Sequence, residues 1–583
     1  MTAIARPIAV RDGFALLHPG RKDTAVLICA PWGFEALCVH KSYRILADRI
    51  ASAGYAVLRF DYPGTGDAQG SLDDCEGVED WLEAVDEAAT VLKSASGATS
   101  LVVCGQGLGS VLARVAAARR SDVVGSILLA PPENGRRAMR EIGAWAALIN
   151  EIIGLPKTDR SGGLDFAGFE MPAAFAASLQ ALDPLAGPAP AQALVAVRPG
   201  RDGDAAVARK LSDAGASVRT IPFEGYAELA TDPTSAVVPL ATWDAVVEWL
   251  AETFPGDVAR PEAGVGGEPR AVGPGYVETA FRFGPDDRLF AILCEPAGEA
   301  SPPSGSVAAV FLNSGFDHHI GWARMAVDQS RALARAGFAA MRIDSSDIGE
   351  GLAAPGGPVP VLYSDAQLAD VSAALDALAD RGYPGAFLVG RCSGAFLAFG
   401  GAVADARVRG AVVVNIQRLV WDPDEDVAIA IRNTFRSLGD YRERLFTAAT
   451  LKRLVTGDID VPGVVLDIGR RIAKKVGILI APVTGGLTKY GGLAREVRRR
   501  FKTLAARRAP ISLVYSVGDG GLDELAAYYG RSGRGVGAFP NVTVSLIPNA
   551  DHTITPPLAR ATLEAHILHF AARVNADSGP RQT

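Results

Sequence analysis

The tetrapeptide LRFD at residues 58–61 returns as MRID at 341–344, 283 residues later. The Gly-aromatic pairs Gly54-Tyr55 and Gly337-Phe338 keep the same spacing. Each tetrapeptide stands in the same surroundings. A short apolar run comes first, TAVLICA (24–30) in one case and SVAAVFLNS (306–314) in the other, and a helical stretch separates it from the tetrapeptide. Such β-branched runs ending in small residues read as parallel strands buried on both faces. A chain that repeats this order must build two similar α/β layers, and 583 residues are enough for more than one domain.

Beyond the tetrapeptide each copy continues as helix, strand, tight Gly-rich turn, helix. The strands are SLVVC (100–104) and AFLV (386–389), and the helices run over about 108–119 and 394–404. Alternating strands and helices predict a mostly parallel sheet flanked by helices in each copy. Residues 255–275, PGDVARPEAGVGGEPRAVGPG, are rich in Pro and Gly and lack apolar periodicity, so they read as a linker. The expected domains are therefore 1–254 and 276–583.

A strand that runs through G-x-nucleophile-x-G into a helix is the nucleophile elbow of the α/β-hydrolase fold. The central residue sits on a strained turn, so the residues two before and two after it must be small. In GRCSG (390–394), centring on Cys392 puts Gly390 and Gly394 at those flanks, whereas centring on Ser393 would put Arg391 and Ala395 there. Cys392 is the expected nucleophile. The same frame in the first copy is GQGLG (105–109), with Gly107 at the centre and no reactive group. Glycine relieves the strain of that turn.

A thiol nucleophile needs a base and a group to orient it. In this fold the acid and the histidine follow late strands. The second copy offers Asp519 after ISLVYS (511–516), with Asp523 as the alternative acid, and His552 after the strand at 541–547. Asp551 is read as capping the His552 loop. Ser393 N–H at a helix start and Phe316 N–H in the loop after the first strand are the expected oxyanion donors. The helix terminus, His552 and Arg391 are expected to lower the thiol pKa. Arg391, His318 and His319 are the candidate substrate contacts. In the first copy, Asp202 or Asp204 stands in the acid slot, but the last loop carries Tyr226 and Glu228. The seven histidines are 18, 40, 318, 319, 552, 566 and 569, so none falls between 41 and 317. The first copy is expected to be degenerate.

GRCSGA (390–395), GDGGLDEL (518–525) and ADHTITP (550–556) make the second half resemble cysteine-type α/β hydrolases of the serine aminopeptidase S33-like group. Through LRFDYPGTGD (58–67) and the GY…DP stretch at 225–233, the first half resembles hydrolases of exopolysaccharide- and exosortase-associated clusters. The resemblance implies two tandem α/β-hydrolase domains and acyl hydrolysis or transfer on an ester or thioester. It implies a small-molecule acyl substrate, free or carrier-protein-bound. Arg391 departs from the apolar residue expected there.

Between the two parts of the second copy, about 418–508 reads as a long helical lid insertion. It carries nineteen Lys/Arg against ten Asp/Glu in a chain of net charge −7. In VVLDIGRRIAKKVGILIAP (464–482) the apolar residues fall on one helical face, with Arg470, Arg471, Lys474 and Lys475 away from it. The readings are a solvated basic face, a membrane-surface helix or a dock for an acidic protein. The mild net charge argues against nucleic acid. The six cysteines show no CxxC pair and no ladder with histidine, so no metal or disulfide framework is expected. No cofactor motif stands out, and the expected location is the cytoplasm, soluble or at the membrane periphery. The functional expectation is an acyl hydrolase, thioesterase or acyltransferase using Cys392, His552 and Asp519, with the first domain a pseudoenzyme. The alternative is a non-catalytic scaffold of a polysaccharide or natural-product biosynthetic complex.

Overall fold

The computed structural model describes residues 4–11, 13–155, 163–256, 267–298, 306–427, 430 and 488–578. The first half builds an eight-stranded sheet from β1 (Arg6–Val10), β2 (Gly13–His18), β3 (Thr24–Cys29), β4 (Val57–Phe60), β5 (Ser100–Gln106), β6 (Val123–Leu129), β9 (Gln192–Val197) and β10 (Ser217–Pro222). A separate hairpin, β7 (Leu164–Phe166) and β8 (Phe169–Met171), lies outside that sheet. The spatial order is β1-β2-β4-β3-β5-β6-β9-β10. β2 is antiparallel to its neighbours, and the pairings from β4 to β10 are parallel.

The second half repeats this order. Its strands are β11 (Arg270–Gly273), β12 (Tyr276–Phe283), β13 (Leu289–Pro296), β14 (Val307–Phe311), β15 (Ala340–Asp344), β16 (Gly385–Arg391), β17 (Val408–Val414), β18 (Ile511–Ser516) and β19 (Val542–Ile547). Removing β11 leaves β12-β13-β15-β14-β16-β17-β18-β19, the first sheet's order strand for strand. Both sheets have the α/β-hydrolase fold. Their central strands are buried on both faces because helices cover each side, which explains the continuous apolar runs.

One expectation needs correcting. Residues 270–273, read as linker, are strand β11, which pairs antiparallel with β12 from Arg270↔Thr279 to Gly273↔Tyr276. Pro274 and Gly275 form the connecting turn, where Gly275 has φ +82°. The predicted helix at 464–482 lies outside the described residues. Lys489–Ala506 does form a helix. Its Val497, Phe501 and Leu504 enter the core, while Arg498, Arg499 and Lys502 face outward. Among the described residues no helix is long and apolar enough to cross a membrane.

The halves meet through reciprocal buried ion pairs. Arg59 forks onto Glu350 at 2.8 and 2.6 Å, and Arg342 reaches Asp67 at 3.0 Å. Each first-half residue lies 283 positions before its second-half counterpart, Arg59 before Arg342 and Asp67 before Glu350. Residue i meeting j′ while i′ meets j is the signature of a two-fold interface. His319 adds a bridge from Asp67 (2.5 Å) to Asp344 (2.7 Å). Burial disfavours its charge, but the two carboxylates outweigh burial and raise its pKa well above the ordinary value. His318 stacks on His40 across the same interface, with ring centroids 3.6 Å apart.

Candidate active site

β16 delivers Cys392 to the turn before the helix Ser393–Ala404. Cys392 has φ 56° and ψ −117°. Few non-glycine residues adopt that backbone, and its cost of about 1–3 kcal/mol is the kind tolerated at functional sites. The flanking glycines are sterically required. A Cβ on Gly390 would lie 2.0 Å from Gly394 O, and one on Gly394 would lie 2.5 Å from Asn313 O. Ser393 is buried, and its hydroxyl accepts the Gly315 N–H at 2.8 Å. It thereby anchors the loop after β14 to the start of the helix. The Ser393 N–H, at the helix N-terminus, has no partner within the helix.

The structure brings His552 and Asp519 to Cys392. His552 Nδ1 lies 2.6 Å from Asp519 Oδ2, and the ring lines the same cleft as Cys392. Asp519, not Asp523, is thus the carboxylate on the histidine. Its other oxygen accepts Gln417 Nε2 and Gly521 N–H, both at 2.7 Å. Three donors hold the acid in one orientation. Burial alone would lower the His552 pKa, yet the charges of Asp519 and Cys392 and the hydrogen bond to Asp519 push it up to about 10. Asp551 turns the loop, as its carboxylate accepts Thr555 N–H at 2.6 Å and Thr555 Oγ1 at 2.8 Å. Asn415 ties that loop to β18 through His552 O and Ser516 Oγ, both at 2.9 Å.

The cleft at Cys392 holds about 30 Å³ and is lined by residues including Ser314, Asp317, Tyr363, Arg391 and Thr553. That is room for about two waters. Arg391 Nη2 donates to Asp317 Oδ2 at 3.1 Å. Burial pushes Asp317 up to about 7 although Arg391 pulls it down, and Asp232 of the first half adds to the rise. Phe316 follows Gly315 in the same loop and packs against the core, but its side chain does not line the cleft. His318 and His319 do not line it either. They belong to the interface between the halves, so substrate contact at Cys392 is corrected for both. Sequence reasoning missed Thr234, which comes from the first half and lines the cleft beside Gly315. It also missed Gln417, whose signal was an amide just past the end of a buried strand.

The first-half elbow keeps the geometry and loses the chemistry. Gly107 has φ 53° and ψ −122°, close to the values at Cys392. A Cβ there would point at Glu35 Oε2, 2.9 Å away. Glu35 is held by Gln106 Nε2 at 2.8 Å and Tyr226 OH at 3.3 Å. The Gln106–Glu35 pair occupies the positions of Arg391–Asp317, so a carboxylate fills the space of the missing nucleophile.

Residues 39–163 match the family model described as serine aminopeptidase, S33. The match lies in the half whose elbow centre is glycine. A search of curated proteins finds no match. Among solved structures, proline iminopeptidase from Mycobacterium smegmatis is similar at 14% identity and TM-score 0.34, covering 52% of this chain and 100% of that one. Est1E from Butyrivibrio proteoclasticus, solved with ferulic acid bound, is similar at 18% identity and TM-score 0.32, covering 42% and 98%. A cold-adapted esterase from an Arctic intertidal metagenomic library is similar at 14% identity and TM-score 0.28, covering 52% and 96%. The family match and the fold support a hydrolase.

Proposed function

We propose that the chain is an acyl hydrolase or acyltransferase whose second half works through Cys392, His552 and Asp519, with the first half a pseudoenzyme scaffold. The observation that carries this reading is a cysteine held at φ 56° on an elbow, sharing its cleft with a histidine that a carboxylate orients at 2.6 Å. Cys392 gives its thiol proton to His552, and Sγ attacks the acyl carbonyl carbon. The oxyanion is held by the Ser393 and Phe316 N–H groups. The bond to the leaving group breaks, and His552 supplies the proton that group takes. Water, or a hydroxyl or amine acceptor, then attacks the acyl-cysteine and gives its proton to His552, which frees Sγ. A thiolate leaving group suits a cysteine enzyme, so thioesters are the favoured substrates. The small cleft favours short acyl groups first.

The test is intact-mass spectrometry after incubation with acyl thioesters from acetyl upward. An adduct that forms on the wild type and vanishes in Cys392→Ala supports the enzyme. A protein that stays unmodified, with a thiol no more reactive than a free cysteine, supports the scaffold role instead.

The His552 proton sets the basic limb of the pH profile. Above about 10 the imidazolium is lost and no proton is available for the leaving group. Turnover of an oxygen ester is expected to fall as pH rises through that value, and turnover of a thioester to fall less. A basic limb near neutrality, measured on kcat/KM, would contradict the Asp519–His552–Cys392 pairing. The first half gives a separate expectation. Gly107→Cys should not acquire an adduct under the same conditions, because Glu35 fills the space and the loop after the last strand brings Tyr226, not a histidine, to it. A Gly107→Cys adduct in a Cys392→Ala background would show that the first half remains competent.

A further inference from the structure

A second and larger cavity, of about 270 Å³, lies between the halves and shares no lining residue with the Cys392 cleft. Its volume is just below the roughly 300–1,000 Å³ usual for small-molecule sites. Trp32, Phe60 and Tyr62 of the first half and Phe290 of the second give it aromatic walls. Its polar floor is Asp61, at the end of the repeated tetrapeptide LRFD.

The duplication shows what Asp61 lacks. Its counterpart 283 residues on is Asp344, which is fully buried and accepts three hydrogen bonds. Those come from Asn313 Nδ2 at 2.9 Å, His319 Nδ1 at 2.7 Å and Glu350 N–H at 2.8 Å. Asp61 keeps only the last of these, as Asp67 N–H at 2.9 Å. The register explains the loss. Ile28 pairs with Arg59 as Phe311 pairs with Arg342, so Ala30 stands where Asn313 does. Counting from the shared steps Gly33-Phe34-Glu35 and Gly315-Phe316-Asp317, Leu37 stands where His319 does. Both side-chain donors have become apolar, and Ala30 and Leu37 both line the cavity.

Charge decides what belongs there. The cavity's arginines are committed: Arg59 to Glu350, Arg324 to the Gly66, Ala68 and Gly70 carbonyls, and Arg560 to Glu170. His319 is held by Asp67 and Asp344, and His40 by Glu350. Among the described residues no side chain donates to Asp61 in this way; burial and the nearby Asp67 charge raise its pKa, against the pull of the Asp67 N–H and of the His40 and His319 charges. Asp73 is exposed at the lining and adds negative potential, and Asp328, also exposed there, faces the Arg324 charge. A cation would offset the cost of a half-buried carboxylate, and aromatic faces favour an organic one.

We propose that this cavity binds a small organic amine with an apolar body, whose ammonium group donates to Asp61 in place of the donors that Asp344 receives from Asn313 and His319. The site is separate from the chemistry at Cys392 and does not rest on it.

The experiment is calorimetric titration of the full chain with benzylamine, phenethylamine and hexylamine, beside benzyl alcohol and phenylacetate as neutral and anionic controls. At least one amine is expected to bind at least tenfold more tightly than either control. Asp61→Asn should weaken that amine about tenfold or more. Ala36→Phe, which fills the cavity and keeps the carboxylate, should abolish binding, and it decides the matter if Asp61→Asn fails to fold. Alkylating Cys392 should leave amine binding unchanged. The proposal is overturned if no amine binds at millimolar concentration, if Asp61→Asn binds as the wild type does, or if alkylation of Cys392 removes the binding.

Discussion

Cys392→Ala is expected to lower acyl turnover on the order of 10⁴- to 10⁶-fold, the range seen when one member of a nucleophile–base–acid set is removed. The same substitution should leave the fold intact, because an alanine keeps the Cβ and the strained backbone. Cys392→Gly separates chemistry from strain. Both variants lack the thiol, so their difference reports the backbone at φ 56°. The glycine variant gains by relieving about 1–3 kcal/mol of strain and loses about 0.4–1 kcal/mol through the greater freedom of its unfolded chain. It should therefore be the more stable of the two, by about 1 kcal/mol, in urea unfolding. The first half has already made this exchange, since Gly107 holds the same turn without a side chain. A glycine variant less stable than the alanine variant by about 0.4–1 kcal/mol would mean that the elbow stores no strain. Turnover in Cys392→Ala close to the wild-type rate would remove the cysteine from the chemistry altogether.

The parts of this protein that can be read from its sequence are those governed by local rules. Cys392 is legible because the steric demand of the elbow falls on its own neighbours, Gly390 and Gly394, and both would clash as any larger residue. The parallel strands are legible because burial on both faces removes polar alternation from VAAVF and TAVLIC. The duplication is legible because LRFD and MRID carry an arginine that the interface needs in both copies. What could not be read depends on contacts across long separations. Thr234 reaches the Cys392 cleft from the other half. Gln417 acquires its role only when β17 lies beside β18. His318 and His319 sit near the oxyanion loop in sequence, yet partners some 250 to 280 positions away draw them to the interface. Strand β11 was hidden by the Gly and Pro around it, since a four-residue strand is too short to show a period.

Arg342→Ala is expected to destabilise the chain by about 3–5 kcal/mol, the cost of removing one partner from a buried charge network. Arg342 is fully buried and holds Glu278 at 2.8 Å and Asp67 at 3.0 Å. Its loss leaves Glu278 with Arg331 and Asp67 with His319, one cation short at each. Arg59→Ala does the same to Glu350 across the pseudo-two-fold. The two networks join where Glu350 N–H and His319 both donate to Asp344 Oδ2. Losses from the double variant should therefore depart from additivity by about 0.5–3 kcal/mol, measured as a double-mutant cycle in urea. Strict additivity would mean that the two arms act as separate clamps. A harder test replaces Arg342, Arg331, Asp67 and Glu278 together by apolar residues of similar volume, so that no guanidinium is left without its carboxylate. If the network exists for stability, that quadruple variant should be weaker than the wild type. If it exists to fix how the halves register, the variant should be as stable or more so, while Thr234 and Gly315 lose their set spacing beside Cys392. That arrangement would then show as altered acylation in a protein that unfolds no earlier. The asymmetry of the interface favours this second outcome. Glu278 has no acidic counterpart in the first half, so the charge is placed on the side that also carries the cysteine.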